Sequence, residues 1–343
     1  MFQFILSNYI KPILLKTNEG ACNCSTFIEN GKRYLISRNV SYSIVKDKSF
    51  LYDGKCHTKN FLYEIKDNYD LLFIKELETI NGSNNCRFFG YEDIRTINWN
   101  NQNYFLCTKV HGNDDTGTMC IGEIKNCSLT NIKELKTQNR REKNWAPIEN
   151  EPFNALYSQD KKINLNDVKL YSLSNDFKAS GSTPVIKFNS YNLAIVHIRN
   201  KNVYQHYFVL YDCDYKIIKV SDPFSFFGNN TEFCCDMKFN NNVLEIFMSV
   251  NDGISYVFRL PETMIFEIFE NKLTNSACNN DIFEKFFEDA VKIQAWNVAA
   301  VQALAVNKKE NLETAIEINH EKTTLNLQHK KEIQRVLLIK YYS

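Results

Sequence analysis

The sequence has almost no net charge and no long apolar run. Its 343 residues carry a formal net charge of +1, with charged residues at 24%, so no overall field attracts nucleic acid or an acidic membrane surface. No stretch approaches the ~20 consecutive apolar residues that a membrane-spanning helix requires. We therefore expect no nucleic-acid partner and no membrane span, and the choice of partner must come from a local site.

Signatures of several large enzyme classes are also missing. The sequence contains no P-loop, G-x-G-x-x-G fingerprint, H-E-x-x-H pair or EF-hand loop, and no G-x-S-x-G elbow of a serine hydrolase. The interleaved basic and aromatic clusters of nucleic-acid binders are absent as well. We predict that the protein uses no cofactor and no metal ion.

Cysteine usage argues against both a disulfide framework and a zinc site. Eleven cysteines in a chain of this length do not form a dense disulfide framework, and an odd number leaves at least one unpaired. Cys22 and Cys24 lie two residues apart and Cys234 directly precedes Cys235, whereas structural zinc requires matching C-x-x-C pairs. Reduced thiols in a cytoplasmic protein are the simpler interpretation. Lys11 interrupts the N-terminal apolar residues, which favours a first structural element over a signal peptide.

Short strand-like segments are abundant. Between about residues 20 and 265, runs such as YNLAIVHI and VLEIFMSV alternate with Asn-, Asp- and Gly-rich clusters such as GNDDTG and FNNN. Helical periodicity is nearly absent there. Many short strands separated by turn signals indicate an all-β sandwich, barrel or propeller, and the lack of a strict repeat means that propeller blades must have diverged.

The pattern changes past Asn279. Apolar residues recur near a 3.6 period in DIFEKFFEDAVKIQAWNVAAVQALAV, where Asp281 and Glu284 have the spacing of a capping box. A second helix is predicted over EIQRVLLIKYY, and the polar residues between are helical or loosely ordered. We predict a β domain over residues 1–270 and a helical C-terminal extension over 271–343. The extension either packs on the body or mediates self-association as a homo-oligomer.

Five segments occur in an order that resembles one enzyme clan. CNCSTFIENGKRYLISR resembles the N-P-S...G...LL-x-R opening of glycoside hydrolase family 130, the mannoside phosphorylases and hydrolases, and of the related glycosyltransferase family 108. YEDIR resembles the E-D-P-R of the clan, and EKNWAPIENEPFNALYS resembles its K-N-W...Y-S segment. GSTPVIKFNSYNLAIVH and NTEFCCDMKFNNNVLEIFMSVND resemble its G-(S/G)-T-P...L-x-x-x-H and closing E...G-x-x-D segments. An isolated E-D-x-R is typical of a turn or an ion pair, so the order of the five segments carries the resemblance.

The resemblance implies a five-bladed β-propeller with its active site at one end of the central channel. It also implies inverting glycosyl transfer, in which Asp93 protonates the leaving oxygen through a sugar hydroxyl while phosphate or water attacks from the opposite face. Such a carboxyl must stay protonated near neutral pH, which burial and the adjacent Glu92 favour and direct pairing with Arg95 opposes. Ile94 and Cys24 replace two prolines of the clan, which loosens turns without removing a reactive group.

Cationic and hydrogen-bonding residues at these segments favour phosphate handling, since Arg presents a planar fork and Lys a point charge to phosphoryl oxygens. Candidate ligands of phosphate, a sugar phosphate or a nucleotide sugar are Arg38, Arg95, Lys143, Asn144, His197, Tyr204 and His206. Sugar rings stack on aromatic faces, and carboxylates accept hydrogen bonds from sugar hydroxyls. Candidate sugar-binding residues are Tyr91, Trp145, Glu232, Asp236 and Asp252.

The leading interpretation is a glycoside phosphorylase or glycosyltransferase acting on a mannoside-like sugar or glycan, and two alternatives stay open. An inverting glycosidase needs a second carboxylate to activate water, for which Glu232 is the candidate. A non-catalytic glycan-binding or assembly module on an enzyme-derived propeller agrees with the altered turns, and its helical extension would then contact a partner.

Overall fold

The chain forms a body of short strands followed by helices. The computed structural model describes residues 3–17, 20–45, 48–52, 54–77, 86–113, 116–136, 141–200, 203–228, 231–274 and 281–342. Strands β1 to β25 are, in order, Phe4–Ile5, Ile13–Leu14, Ala21–Glu29, Lys32–Val40, Tyr42–Val45, Lys48–Leu51, Cys56–Ile65, Leu71–Leu77, Phe88–Trp99, Gln102–Gly112, Gly117–Lys125, Ser128–Leu135, Ala146–Pro147, Asn154–Ser158, Lys161–Asn164, Lys169–Ser172, Ser180–Gly181, Ile186–Phe188, Tyr191–Asn200, Val203–Tyr211, Ile217–Val220, Phe224–Ser225, Glu232–Asn240, Val243–Val250 and Ile254–Pro261. Helices α1 to α5 are Glu262–Phe269, Ile282–Lys292, Trp296–Gln302, Lys309–Glu321 and Leu327–Tyr342. The all-β class with a C-terminal helical extension is confirmed.

Antiparallel pairing divides most of the strands into five units that follow one another along the chain, and a short parallel pairing of β7 with β9 joins the first two. The first contains β3, β4, β7 and β8, the second β9 to β12, and the third β13 to β16. In the fourth, β17 and β18 both pair with β19, which is followed by β20 and β21, and the fifth contains β23 to β25. The N-terminal β2 pairs with β25 and adds a fourth strand to the fifth unit. The assignment of each unit to one blade of a closed ring stays a prediction.

The first strands of three units meet at the centre of the body. Thr26 in β3 donates its backbone N–H and its hydroxyl to Asp236 in β23, at 2.7 and 3.0 Å. The Thr96 hydroxyl in β9 donates to the Thr26 carbonyl at 2.6 Å. These bonds join strands far apart in the sequence and fix the inner strands against one another.

β-Bulges redirect two of these inner strands. The register of β3 against β4 shifts between Cys22 and Ser25, and that of β9 against β10 shifts where Asp93 lies. Asn23 and Asp93 have φ of 48° and 53°, a left-handed conformation that Asn and Asp tolerate better than other side chains. A bulge re-aims the side chain of its extra residue. Asn23 and Asp93 therefore turn toward the same end of the body.

The helical extension packs on the fifth unit. One apolar cluster joins Ile246 and Phe258 of the sheet to Phe286 and Ala299 of the helices. Burial of each such Phe contributes about 1.5–3 kcal/mol, so the extension shares a core with the body. Self-association through the helices stays a prediction. None of the described helices is long and apolar enough to cross a membrane.

Two details of the helices differ from the expectation. α1 begins at Glu262, before the predicted change at Asn279, because a helix of eight residues is too short for its period to stand out in the sequence. Glu284 accepts the backbone N–H groups of Asn307 and Lys308 at 2.8 and 3.2 Å. Its carboxylate thus holds the connection before α4 and forms no capping box. The predicted second helix is confirmed as part of α5.

Candidate active site

A cavity of about 330 Å³ opens at the end of the body where the two bulges point. Every unit contributes to its wall: Arg38 from the first, Glu92 from the second, Lys143 from the third, Tyr204 from the fourth and Asp252 from the fifth. The volume lies within the range of small-molecule sites. The cavity therefore gathers side chains from segments spread over most of the β body.

One arginine holds the two adjacent acids of this cavity. Arg38 donates from Nη2 to Glu92 Oε1 at 2.6 Å and from Nη1 to Asp93 Oδ1 at 3.1 Å. Asn23 Nδ2 donates to the same Asp93 oxygen at 2.6 Å, and the Ser249 hydroxyl fixes the Asn23 amide by donating to its Oδ1 at 2.6 Å. Within the described residues no hydrogen bond reaches Asp93 Oδ2, so this oxygen is available to a ligand.

Arg95 lies behind the acids and is fully buried. Its Nε donates to the Ser182 carbonyl at 2.7 Å, and its Nη2 donates to Asn144 Oδ1 at 3.2 Å. The guanidinium carbon lies 5.8 Å from the centroid of the Phe233 ring. Arg95 is not among the residues that line the cavity. It joins the second unit to the third and fourth, and it keeps Asn144 at the cavity wall.

The surrounding charges shift the pKa values of the two acids in opposite directions. Burial raises the pKa of Asp93, but Arg38, Arg95 and the Asn23 hydrogen bond outweigh burial and hold that pKa below its ordinary value. Burial and the Asp93 carboxylate raise the pKa of Glu92 in spite of Arg38. In the free protein Asp93 is therefore ionised at neutral pH. This state is opposite to the protonated one that a general acid needs.

The cavity carries more positive than negative side chains. The cationic lining residues are Arg38, Lys48, Arg141, Lys143 and Arg199, and the acidic ones are Glu92, Asp93 and Asp252. Within the described part of the chain the Lys143 ammonium makes no hydrogen bond or ion pair. The Arg199 guanidinium lies 5.4 Å from the Tyr204 ring centroid. A surplus of cations in a concave site attracts an anion.

The turn between β24 and β25 supplies the third acid. Asn251 and Asp252 have φ of 53° and 50°, which turns the chain tightly between the two strands. The Tyr42 hydroxyl donates to Asp252 Oδ2 at 2.8 Å across the cavity wall. Tyr42 begins a two-stranded hairpin, β5 and β6, that lies outside the five units. The Asp252 carboxylate is thereby fixed at the rim with one oxygen bound.

Solved structures of similar fold include mannoside phosphorylases. No protein-family model matches the chain, and no curated protein matches it. A β-1,2-mannobiose phosphorylase from Listeria innocua, in complex with β-1,2-mannobiose, has a TM-score of 0.54 and 13% identity over 78% of this chain and 97% of that chain. The chain has the fold of the family 130 mannoside phosphorylases.

Two further structures give the same result. A mannose phosphorylase from Leishmania mexicana, in complex with a phosphate ion, has a TM-score of 0.50 and 14% identity over 75% of this chain and 89% of that chain. A glycosyl hydrolase from Bacteroides ovatus has a TM-score of 0.54 and 12% identity over 77% of this chain and 94% of that chain. In both comparisons the similarity spans most of the neighbour and about three quarters of this chain.

The two histidines predicted as phosphate ligands lie behind the cavity wall of this family 130 fold. His197 Nδ1 is 2.8 Å from the Ser182 hydroxyl, and its ring centroid is 5.3 Å from that of Tyr204. His206 is fully buried, with its ring centroid 5.7 Å from that of Phe224. Burial lowers the pKa of His197 well below its ordinary value and that of His206 to about 3. Both rings are neutral, and neither is among the residues lining the cavity.

Only Asp252 of the predicted sugar-binding acids lines the cavity. Glu232 is fully buried and accepts the backbone N–H groups of residues 226 and 227 at 2.7 and 3.0 Å. Asp236 is fully buried and binds Thr26 in the neighbouring inner strand. Glu232 and Asp236 therefore hold the backbone together. Within the described residues, no group of three or more His, Cys, Asp and Glu side chains could hold a metal ion.

The aromatic predictions also miss the cavity, and other side chains take their place. Tyr91 packs in an apolar cluster formed by strands of the first and second units. Trp145 is buried, and its Nε1 donates to Glu142 Oε2 at 3.3 Å. The lining residues not assigned from the sequence include Asn23, Tyr42, Phe88, Arg141, Arg199 and Phe233. Asn23 had a signal, since it occupies the first position of the segment that resembles N-P-S.

Proposed function

We propose that this chain is a carbohydrate-active enzyme that performs inverting glycosyl transfer on a mannoside-like sugar, to or from phosphate or from an activated donor. The observation that carries the proposal is one cavity in which the Glu92–Asp93 pair and the unpaired Lys143 ammonium face the same space. Proteins of this fold have been solved with β-1,2-mannobiose and with phosphate. Those ligands support a sugar and a phosphate as the partners.

The proton donor in this proposal is Asp93, through its available Oδ2. Its pKa in the free protein is lowered by Arg38 and Arg95, so the donor must take up a proton when the substrates bind. Phosphate held beside Arg38 and Lys143 adds negative charge next to the carboxyl, which raises its pKa. Burial raises the pKa of the adjacent Glu92, and a negative charge on that carboxylate opposes ionisation of Asp93.

The cationic side chains are the proposed phosphate ligands. Lys143 supplies a point charge, and Arg199 and Arg141 supply planar forks for phosphoryl oxygens. Inverting hydrolysis would use a second carboxylate in place of these cations. Glu232, the predicted water-activating acid, is not among the lining residues, whereas Asp252 is. The surplus of cations favours phosphate over water as the nucleophile.

A second candidate is a glycan-binding module without turnover. The observation that favours it is the set of contacts that keeps Asp93 ionised: Arg38 and Asn23 both donate to its Oδ1. A carboxylate held in this way accepts hydrogen bonds from sugar hydroxyls without releasing a proton. Turnover therefore separates the two candidates.

The test measures transfer in both directions. The purified protein is incubated with β-1,2-mannobiose and inorganic phosphate, and separately with mannose 1-phosphate or nucleotide-activated mannose plus mannose, with products followed by ³¹P NMR. We expect product from the wild type and a rate about 10²–10⁴-fold lower from Asp93→Asn, as for the loss of a general acid. Asp70→Asn is the control, because Asp70 is exposed and its carboxylate accepts a hydrogen bond from the Asn68 amide of its own turn.

Three outcomes would contradict the proposal or assign another function. Equal product from the wild type and Asp93→Asn contradicts the role of Asp93. Sugar binding that survives Asp93→Asn, with no product from the wild type on any donor, assigns the binding module. Release of free mannose at a rate that does not depend on phosphate assigns hydrolysis.

A further inference from the structure

One wall of the cavity is a hairpin that does not belong to any of the five units. Strands β5 and β6 form a two-stranded sheet of their own among the described strands. The hairpin brings Tyr42, Ile44, Lys48 and Ser49 to the cavity lining. An isolated two-stranded hairpin is at best marginally stable in water. Its position at the cavity must therefore come from contacts with other parts of the chain.

A single buried amide of the helical extension joins this hairpin to the Asp252 turn. Gln302, at the end of α3, is fully buried and donates from Nε2 to the Ile44 carbonyl at 2.7 Å. The Asn251 side chain donates from Nδ2 to Gln302 Oε1 at 2.9 Å. Asn251 directly precedes Asp252, which accepts the Tyr42 hydroxyl. Hairpin, turn and helix thus close a ring of three hydrogen bonds at the cavity rim.

The second strand of the hairpin is held by residues at the start of α5. Asn326 Nδ2 donates to the Leu51 carbonyl at 3.2 Å, and His329 Nδ1 lies 2.8 Å from the same oxygen. Lys48 and Glu332 form an ion pair on the surface. Both strands of the hairpin are therefore attached to the helical extension.

Packing of α3 against two turns is as close as glycine permits. A Cβ added to Gly253, the residue after Asp252, would lie 2.9 Å from Val298 Cγ2. A Cβ added to Gly20, which has a φ of +70°, would lie 2.7 Å from the same methyl group. Atoms at such distances overlap. The position of α3 consequently fixes the backbone beside Asp252.

We propose that the helical extension is the positioning element of the cavity, and that Gln302 sets the wall formed by Tyr42 and Asp252. Gln302 is not among the lining residues, so it acts through the hairpin and the turn. Lys143 directly precedes the third unit and Arg199 lies in β19 of the fourth, whereas Tyr42 and Asp252 belong to the hairpin and turn that Gln302 joins. The kinetic consequence rests on the proposed function: loss of Gln302 weakens sugar binding and leaves phosphate binding unchanged.

The experiment compares Gln302→Met with Asn319→Met. Asn319 is a buried amide of the same extension that binds the Lys330 carbonyl and Gln334 and contacts no cavity residue. For Gln302→Met we expect the KM for β-1,2-mannobiose to rise about tenfold, as for the loss of buried hydrogen bonds, and the KM for phosphate to stay within about twofold. For Asn319→Met we expect a lower Tm and both KM values as in the wild type.

Hydrogen–deuterium exchange without ligand tests the same proposal independently of turnover. We expect the backbone amides of residues 42–45 and 48–52 to exchange faster in Gln302→Met than in Asn319→Met. His329→Ala, which removes one contact to the Leu51 carbonyl, serves as a second variant if Gln302→Met does not fold, with the same expected direction. Unchanged exchange in the hairpin, or an equal rise of both KM values, overturns the proposal. A wild type without turnover but with the expected exchange would remove the proposed function and keep this inference.

Discussion

Two clusters of this protein pair a buried acid with an arginine, and they differ in how many of their polar groups lack a hydrogen-bond partner. In the first, Glu245 is fully buried and forms an ion pair with Arg33. The Tyr69 hydroxyl and the Asn240 amide donate to the other oxygen of the same carboxylate. The Arg33 guanidinium also lies 5.6 Å from the ring centroid of Phe247. Both carboxylate oxygens have partners, and the cluster joins strands.

The cavity cluster is incompletely satisfied. Arg38 is shared between Glu92 and Asp93, one oxygen of Asp93 has no hydrogen bond within the described residues, and the Lys143 ammonium has no partner there. Lys143 is half-buried, and both residues line the cavity, so their unpaired groups are accessible to a ligand there. A buried ion pair alone is thus weak evidence for a site. The cavity cluster differs from the Glu245 cluster because it has unpaired polar groups that face one common space.

The largest expected effect is on turnover, which Arg38→Met should lose and Arg33→Met should retain. Arg38→Met removes the group that orients both acids, and we expect kcat/KM to fall at least about 100-fold, a typical loss for a displaced acid catalyst. Arg33→Met leaves Glu245 buried without its cation, and we expect the free energy of unfolding to fall by about 3 kcal/mol while kcat/KM stays within about twofold. Steady-state kinetics and urea unfolding of both variants measure the two effects.

Retention of full turnover by Arg38→Met would show that the two clusters do not differ in the way described. The same conclusion follows if folded Arg33→Met loses turnover. Arg259→Met is a suitable control for the loss of a surface-facing guanidinium, because Arg259 also lies near the Tyr69 ring, at 5.7 Å, and is exposed.

The sequence predicted the β body and the region of the site because both leave local patterns. Short β-branched runs between Asn- and Gly-rich clusters mark strands and turns. The ordered segments around Arg38, Asp93 and Lys143 contain residues that the structure brings to one cavity. These signals depend on residue type and order, which a single sequence contains.

The partners of those residues could not be predicted, because they depend on tertiary distances. Asn23 and Ser249 are 226 positions apart and hydrogen-bonded. The direction of the Asp93 pKa follows from Arg38, whose Nη1 lies 3.1 Å from the carboxylate. Glu232 has the local pattern of a ligand, and only the fold shows that its carboxylate binds backbone N–H groups.

A smaller effect is expected on the affinity for phosphate when two lysines near buried acids are substituted. Lys143 has no partner in the described part of the chain, whereas Lys238 donates to the Thr96 carbonyl at 2.9 Å and lies 3.9 Å from Asp236. Phosphate at about 100 times its Kd should stabilise the wild type by about 2.7 kcal/mol. We expect Lys143→Met to weaken phosphate binding about tenfold, by the loss of one charge-assisted hydrogen bond, and Lys238→Met to leave it unchanged.

Calorimetric titration with phosphate at constant ionic strength measures both variants. Phosphate that binds Lys143→Met as tightly as the wild type would contradict the assignment of this ammonium to the anion. Weaker binding to Lys238→Met would show instead that phosphate responds to any loss of positive charge, and that the cavity has no preferred ligand.

The smallest effect is the opposite pH dependence expected for two buried aspartates. The pKa of Asp93 is lowered by Arg38 and Arg95 against burial, whereas burial raises the pKa of Asp236. The ionised form of Asp93 therefore stabilises the folded protein above about pH 3.9, the unfolded value. That contribution is lost as the pH falls from there through the folded pKa. For Asp236 the ionised form costs stability, and the cost disappears as the pH falls through its raised pKa.

Asn substitutions at these positions should shift Tm by about 2 °C in opposite directions at pH 7. We expect Asp93→Asn to melt below the wild type and Asp236→Asn to melt at or above it, since Asn Oδ1 can still accept from Thr26. Both differences should shrink as the pH falls toward 3, because Asp93 of the unfolded chain and Asp236 of the folded protein take up protons there. Thermal unfolding from pH 7 to pH 3 measures them. Shifts of the same sign at every pH would mean that both acids serve the same structural purpose, and Asp93 would then not differ from a buried structural acid.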